Sequence, residues 1–461
     1  MNNLIHKIFS KYSLIVAAFA FSIFFVRFDG YIVNLAMPTF VSYFKLSISQ
    51  TSWIALSYIL SQVSAIIFFG KISDKFALKK VFLWGIAFFS LSSFLCGIAP
   101  GFYFLIAARC LQGISGSMML VSAYAAMMQY LPKEKLGWGL GIMTTAAALG
   151  VLLGPAIGGF IIQFSNWHWI FFINIPLGAL AIIYCLKIVP HLPKKEEKIN
   201  TQFDITGLIF SVIALFLLIF TINMGGEYGW FSKKILTCEL FTVIFFVAFY
   251  FNEKKSKDPI FDIKLFNNFR FSLVILSAVF GFFLFFGGNF LLPFYLTQKG
   301  LTPKDMGILL TIFSLVYIPI GFYAGSLSDK ISSKTLVSWA MFFATITGFT
   351  FSLLLGFSSV IPVVLYLIML AVSYGLFFSP INHLLMNFAG ENNKGSVSAV
   401  YNASLNISMA LGVVFLETIY SEFNVSGLGF RVAYFTAACC CFAVLLILIF
   451  GVSKNKELPS S

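Results

Sequence analysis

The sequence predicts an all-α integral membrane protein with fourteen transmembrane helices, arranged as six, an inserted pair and six. The prediction rests on composition, on the length of the apolar runs and on the placement of Lys and Arg. Of the 461 residues, 59% are hydrophobic and 10% are charged, whereas a soluble domain carries about 25% charged residues. This composition excludes a soluble enzyme, a nucleic-acid-binding protein and a disordered scaffold.

The apolar runs have the length of membrane-spanning helices. A helix needs about 20 apolar residues to cross about 30 Å of hydrocarbon, and the runs lack the alternation typical of membrane strands. The fourteen runs cover roughly residues 13–35, 52–72, 81–99, 102–130, 137–163, 169–189, 205–224, 235–251, 271–296, 303–325, 335–357, 360–385, 395–419 and 431–452.

The basic residues give these helices an orientation. The N-terminus, the loops after the even-numbered helices and the C-terminal tail hold 22 of the 30 Lys and Arg residues. The positive-inside rule therefore predicts that both termini lie in the cytoplasm. The formal net charge of +13 then reflects topology, and no nucleic acid partner is needed to explain it.

Two polar stretches predict the domain organisation, and a weak repeat supports it. GKISDKFALKK begins at Gly70 and GSLSDKISSK begins at Gly325, each after the second helix of a six-helix bundle. The predicted segments are an N-terminal bundle at 1–190, a cytoplasmic linker at 191–203, the inserted helical pair at 204–251, a second linker at 252–270, a C-terminal bundle at 271–452 and a cytoplasmic tail at 453–461.

Two ionisable side chains, Asp29 and Arg109, are predicted deep inside the first and fourth helices. With Pro38 taken as the outer end of the first helix, their depths agree within about 3 Å at 1.5 Å per residue. An unpaired charge at this depth costs several kcal/mol, so such residues are rare and usually functional. We expect proton coupling by this pair, and a static ion pair between the two helices is the alternative.

Small residues form a stripe along the fifth helix. Gly150, Gly154 and Gly158 recur at every fourth position, and Pro155 and Gly159 lie beside them. Such a stripe allows another helix to approach closely, and the proline bends the axis. Ordinary tight packing without a mechanistic role is the alternative.

The loop after the second helix carries Gly70, Asp74, Lys75 and Lys79. Exposed ion pairs are worth about 0–1 kcal/mol each, which is enough to bias two conformations of nearly equal energy. We expect a conformational latch, and a solvated topology signal is the alternative.

Four motifs together resemble those of the drug:proton antiporter family of the major facilitator superfamily, the EmrB/QacA type. The resemblance implies a proton-coupled transporter in the bacterial inner membrane that exports drugs, and not an enzyme. It also implies that Asp29 and Arg109 couple protons and that the stripe on the fifth helix marks an antiporter. The motifs are FDGYIVNLAMP, LIAARCLQGISG, GVLLGPAIGG and WHWIFFINIPLG, which begin at Phe28, Leu105, Gly150 and Trp167.

Polar residues within the predicted helices are candidate substrate contacts. Asn34, Gln112, Asn289 and Asn402 are amides in apolar runs, and each could equally form a helix–helix hydrogen bond. Arg27 departs from the family, which has an apolar residue there. If Arg27 faces the cavity, it attracts carboxylate or phosphate groups; pairing with another helix and snorkelling are the alternatives.

Further expectations concern protonation, cofactors and partners. Glu417 is a candidate second protonation site, with a carboxylate at the water interface as the alternative. No metal site, cofactor or ATP-binding loop is expected. The expected partners are protons, a small-molecule substrate and the lipid bilayer; the chain is expected to be a monomer, and a periplasmic adaptor protein stays open. Export or import of an anionic metabolite or siderophore, and a non-transporting membrane sensor or scaffold, are the alternative functions.

Overall fold

The computed structural model is all-helical and describes residues 11–72, 78–189, 204–256, 263–328, 330–388, 394–424 and 428–451. Within this part of the chain, 13 helices are long and apolar enough to cross a membrane, and a further helix at Ile48–Ile72 has 25 residues. The chain divides into two compact units, residues 1–203 with 301–311 and residues 204–300 with 312–461.

The first unit holds the helices that the N-terminal apolar runs predict. The predicted run 169–189 forms two helices that meet at Ile173. The helices are α1 (Lys11–Phe44), α2 (Ile48–Ile72), α3 (Leu78–Gly97), α4 (Phe102–Tyr130), α5 (Lys133–Phe164), α6 (Trp169–Phe172) and α7 (Asn174–Ile188).

Helix α1 is longer than the run 13–35 predicts, because it continues through Pro38 to Phe44. A proline inside a helix removes one backbone hydrogen bond, and here the tertiary packing beyond it maintains the helix. Phe40 is fully buried, with its ring 5.3 Å from that of Trp167 and 6.4 Å from that of Phe171. Pro38 therefore does not mark the outer end of the first helix.

The second unit contains the remaining helices, except that residues 301–311 group with the first unit. The predicted run 271–296 is interrupted at Phe282, and the last run ends in a wider turn at Ile447–Gly451. The helices are α8 (Ile205–Tyr228), α9 (Lys233–Lys255), α10 (Phe269–Gly281), α11 (Phe283–Gln298), α12 (Pro303–Leu327), α13 (Ser333–Leu354), α14 (Ile361–Met386), α15 (Lys394–Asn424) and α16 (Gly429–Leu446).

The two helices of the inserted pair, α8 and α9, pack on each other, and α8 also packs on α15. At the base of the pair, the Asp204 side chain accepts a hydrogen bond from the Gly207 amide and caps α8. Asn252 donates to the same carboxylate and links the two helices. The predicted linker 191–203 and tail 453–461 lie outside the described residues, and in the stretch 252–270 the structure shows the end of α9 and a 3-10 turn at Ile263–Asn267.

Candidate transport site

A buried ion pair joins α1 to α4 in the first unit. The Arg109 Nη1 atom lies 2.8 Å from the Asp29 Oδ2 atom. The two residues are 1% and 0% exposed. Each side chain projects from a buried face of its helix, where apolar residues recur at three- and four-residue spacing. The two residues, for which the sequence predicts similar depths, are thus in direct contact.

The Asp29 carboxylate accepts further hydrogen bonds from two amides. Gln112 Nε2 and Asn174 Nδ2 lie 2.9 and 2.6 Å from Asp29 Oδ1. Both amides also donate to the Ser93 hydroxyl oxygen, at 2.8 and 3.2 Å. Helices α1, α4 and α7 therefore meet at one carboxylate, and α3 joins them through Ser93. We call Asp29, Arg109, Gln112, Asn174 and Ser93 the buried polar network.

Arg109 is fixed from three sides besides Asp29. Its Nε atom donates to the Ile54 carbonyl of α2 at 3.1 Å, and Nη1 donates to Gln112 Oε1 at 2.6 Å. The guanidinium carbon lies 4.2 Å from the ring centroid of Tyr58, a cation–π contact. Gly113 permits this approach, because a Cβ there would collide with the Tyr58 carbonyl.

The sequence indicated two of the five residues of this network as a pair and a third as a candidate. Gln112, a candidate substrate contact, is fully buried and bonds across helices, which is the alternative stated for it. Asn174 was not among the predicted site residues, although it lies within the motif WHWIFFINIPLG, which could have pointed to it. Ser93 carries no signal, since serine is common in membrane helices that pack tightly.

Asn174 has one further property. It is fully buried, and its Oδ1 atom has no hydrogen-bond partner among the described residues. An unpartnered buried acceptor is unfavourable, so this amide is able to gain a bond if the network changes its protonation state.

The glycine stripe of α5 packs on α1 beside the ion pair. A Cβ on Gly150 would lie 2.6 Å from the Phe24 carbonyl oxygen, and one on Gly154 would lie 3.0 Å from the Phe28 carbonyl oxygen. A Cβ on Gly158 would lie 2.5 Å from the Ile32 side chain, one turn further along α1. The stripe thus brings α5 against the backbone of the segment that carries Asp29.

The other two residues of the motif contact the start of α12, which belongs to the same unit. A Cβ on Gly159 would collide with the Pro303 carbonyl, and one on Gly307 would collide with the Pro155 carbonyl. The motif therefore has two contact faces, one for α1 and one for the first turns of α12.

Among the four residues of the predicted latch, Lys79 is the one whose side chain the structure describes. Lys79 is 6% exposed, and its Nζ atom donates to the Leu186 and Val189 carbonyls at the C-terminal end of α7. A lysine at this position satisfies carbonyls that the helix leaves free. Gly70 lies near the end of α2, and Asp74 and Lys75 lie outside the described residues.

Arg27 and Asn34 lie on a different face of α1 from Asp29. The Arg27 side chain is exposed and Asn34 is half-buried, as is Tyr31 between them. Arg27 makes no hydrogen bond or ion pair with the residues that the structure describes. Pairing of Arg27 with another helix, one of its alternatives, is therefore not seen.

The remaining candidates lie in the second unit. Glu417 is fully buried, accepting from Asn223 Nδ2 of the inserted pair at 2.9 Å and from the Ser421 hydroxyl at 2.7 Å. The alternative of a carboxylate at the water interface is wrong in this conformation. Asn289 is half-buried and donates to the Phe285 carbonyl of its own helix at 2.7 Å, and Asn402 is exposed.

Comparison with known proteins identifies the family. The family model described as Major Facilitator Superfamily matches residues 19–413. The chain belongs to the Major Facilitator Superfamily. This facilitator is therefore a multi-pass membrane transporter of small molecules and not an enzyme.

Relatives of this facilitator differ in what they are named for. A riboflavin transporter of Clostridioides difficile is 28% identical over 96% of this chain and 98% of its own length. A methylenomycin A resistance protein of Bacillus subtilis is 28% identical over 97% and 96%. A multidrug resistance protein of Bacillus subtilis is 28% identical over 86% and 77%.

Solved structures agree with the fold. A D-xylose-proton symporter superposes with a TM-score of 0.71 at 14% identity, covering 97% of this chain and 100% of the other. A POT family transporter in complex with 5-aminolevulinic acid gives 0.70 at 16% identity, covering 94% and 95%. These likenesses concern the fold alone.

Proposed function

We propose that this facilitator is a proton-coupled exporter of small organic molecules, of the fourteen-helix drug:proton antiporter type. The single observation that carries the proposal is the buried Asp29–Arg109 pair, at 2.8 Å. A fully buried ion pair requires desolvation of both charges. A membrane helix retains such residues mainly where they serve a function, such as a proton pathway.

Protonation of Asp29 would change the forces in the buried polar network. The neutral carboxyl no longer attracts Arg109 by full charge, and the guanidinium is left as an uncompensated buried charge. Removing one partner of a buried pair is unfavourable by about 3–5 kcal/mol, so the protonated state favours a conformation in which α1 and α4 separate or water enters. Proton binding thereby biases an equilibrium between conformations.

Asn174 is suited to serve both protonation states. With Asp29 ionised, its Nδ2 atom donates to the carboxylate. With Asp29 protonated, rotation of the amide by half a turn would present Oδ1, which now has no partner, as the acceptor for the new O–H group. A single residue would then stabilise the proton-free and the proton-bound forms.

Three features support export across the bacterial cytoplasmic membrane. The α5 motif packs against both α1 and the start of α12, as expected of the antiporter motif that seals a closed state. Two relatives are named for resistance to compounds. The basic residues favour cytoplasmic termini.

We propose fourteen spans in a 6 + 2 + 6 arrangement and a monomer, and we leave an adaptor protein to experiment.

We further propose Glu417 as a second protonation site. It is fully buried, and it accepts hydrogen bonds from the Asn223 amide and the Ser421 hydroxyl. Both groups can serve an ionised or a protonated carboxyl, since the Asn223 amide has a carbonyl oxygen and the hydroxyl rotates. A Glu417→Gln variant should transport fewer protons per substrate than the native protein.

The test of the proposed function is substrate-induced proton flux in everted membrane vesicles. Lipophilic cations, riboflavin and polycarboxylates would be added separately after a proton gradient is formed. Release of the gradient by any of these, absent in vesicles without the protein, supports proton-coupled export and identifies the class. Substrate entry without any change of the proton gradient would overturn the proposal, and proton movement in the opposite sense would favour the importer alternative.

A further inference from the structure

Arg27 occupies the middle of the longest helix of the first unit. It is the seventeenth of the 34 residues of α1, so about 24 Å of helix extends on either side at 1.5 Å per residue. The hydrocarbon half-thickness is about 15 Å, which an arginine side chain cannot span from the midpoint. Snorkelling to the membrane surface, one of the alternatives for Arg27, would therefore require Arg27 to lie well away from the bilayer midplane.

The face of α1 that carries Arg27 is polar from Arg27 to Asn34. Arg27, Tyr31 and Asn34 follow one another at four- and three-residue spacing, which places them on one side of the helix. A lipid-facing side would be apolar at this depth. This side is therefore unsuited to contact with lipid, and the Arg27 and Tyr31 Cβ atoms lie beside Gly150 and Gly154 of α5.

The charge of Arg27 is not neutralised by its nearest carboxylate. Asp29 lies two residues away, and its contacts are with Arg109, Gln112 and Asn174. Since Asp29 and Arg109 cancel each other, the polar face of α1 keeps one net positive charge. The Arg27 backbone is also held in place, because the glycine stripe lets Gly150 pack beside its Cβ atom.

We propose that Arg27 binds the carboxylate or phosphate group of an organic anion, which makes this protein an exporter of anions and not of lipophilic cations. The proposal rests on the proposed function and specifies its substrate class. The guanidinium offers paired N–H donors that match such groups. Tyr31, one turn along the same face, offers an aromatic ring to the rest of the substrate.

The test uses two dyes that share a xanthene frame and differ in charge, carboxyfluorescein as the anion and rhodamine 123 as the cation. Fluorescence anisotropy would measure binding of each dye to the purified full-length protein in lipid nanodiscs. The native protein should bind carboxyfluorescein at least about tenfold more tightly. Arg27→Gln should weaken carboxyfluorescein binding by about tenfold or more, because a charge-assisted hydrogen bond is lost, and should leave or improve binding of rhodamine 123.

Two further variants keep the result interpretable. Arg27→Lys retains the charge without the planar fork and should lose only part of the anion preference. Arg270→Gln removes an exposed arginine of the second unit and should change neither affinity. Equal binding of the two dyes by the native protein, or an equal loss of both in Arg27→Gln, would overturn the inference. If the dye binding contradicts the inference but substrate-induced proton flux is still observed, the proposed function stands and only the anion preference fails. Absence of that flux would instead contradict the proposed function.

Discussion

Asp29 is the residue at which three helices of the first unit, α1, α4 and α7, meet. It accepts hydrogen bonds from Arg109, Gln112 and Asn174, at distances of 2.6 to 2.9 Å. Hydrogen bonds to a charged group contribute about 1.5–3 kcal/mol each, so the buried polar network both fixes the helices and responds to a proton. One side chain can therefore link protonation to helix packing.

Asn174→Ala tests the contribution of the unpredicted member of this network. Loss of its bond to the carboxylate should lower the free energy of unfolding by about 1–3 kcal/mol and reduce the number of protons moved per substrate. Thermal unfolding and proton flux would measure the two effects. Gln163→Ala, at an exposed amide of the same unit, is the matched control; equal effects of both variants would refute the assigned role.

His168 gives a pH dependence of stability that should be separate from transport. Partial burial lowers the pKa of His168, and its ring stacks on Trp167 at 3.8 Å. Because the folded state favours the neutral ring, stability should decrease as the pH falls below about 6.5, the ordinary histidine pKa. His168→Gln should remove this part of the decrease, measured by thermal unfolding at several pH values, and leave the pH profile of transport unchanged.

At this scale, sequence reasoning finds charges and misses neutral partners. Asp29 and Arg109 stand out because ionisable groups in apolar helices are rare. Ser93 and Asn174 are the kind of polar residue that membrane helices often carry, so only the fold shows which of them meet. The depth estimate took Pro38 as the helix end, whereas α1 continues to Phe44. Asp29 and Arg109 nevertheless meet, because opposite charges within a membrane attract each other strongly.

Among the elements, α5 packs closely on α1 in the first unit. Its glycine stripe leaves no space for a Cβ against the α1 backbone at Gly150. By contrast, a Cβ on Gly141 of the same helix would meet nothing within 4 Å. Alanine substitutions at these two positions therefore distinguish the effect of the close helix contact from the general preference of alanine for a helix.

Gly150→Ala should destabilise the protein and impair transport, since overpacking costs about 1–3 kcal/mol. Gly141→Ala should be neutral or stabilising by up to about 1 kcal/mol, because alanine favours the helix over glycine. Thermal unfolding and substrate-driven proton flux would be measured for both. If the two variants behave alike, the contact between α5 and α1 is not the constraint described here.

The existence of the helices was predictable and their interruptions were not. Continuous apolar runs of about 20 residues leave little choice in a membrane, because the backbone must satisfy its own hydrogen bonds. The break at Ile173 precedes Pro176 in the first turn of α7, and the break at Phe282 follows Gly281. These residues do not decide the breaks on their own, because α5 and α12 continue through Pro155 and Pro319. Conversely, Pro38 predicts an end that tertiary packing overrides.

For the whole molecule, the inserted pair contributes hydrogen bonds to the helix that carries Glu417. Asn223 of α8 donates to the buried Glu417 of α15, and Thr418 donates to the Ile222 carbonyl. The sequence identified the pair by its polar flanks, but it did not indicate that the pair supplies a partner to a buried carboxylate. That contact joins elements 194 residues apart in the chain.

Export of an anion by this protein should be electrogenic. One proton moving inward and one organic anion moving outward shift at least two charges in the same electrical sense, worth at least about 4.6 kcal/mol per 100 mV, and a polyanion such as carboxyfluorescein shifts more. An inside-negative potassium diffusion potential should therefore accelerate export of carboxyfluorescein from proteoliposomes, measured as loss of internal fluorescence. The same rate with and without the potential would show that export is electroneutral.

The most direct test of the central claim, that Asp29 couples protons to transport, compares two transport modes in proteoliposomes. The native protein should both accumulate substrate against its gradient when a proton gradient is applied and exchange labelled for unlabelled substrate. Asp29→Asn should lose the first mode and keep the second, while Asp29→Glu should keep part of both. Uphill transport by Asp29→Asn at the native rate would contradict the claim and would leave the buried pair a static link between α1 and α4.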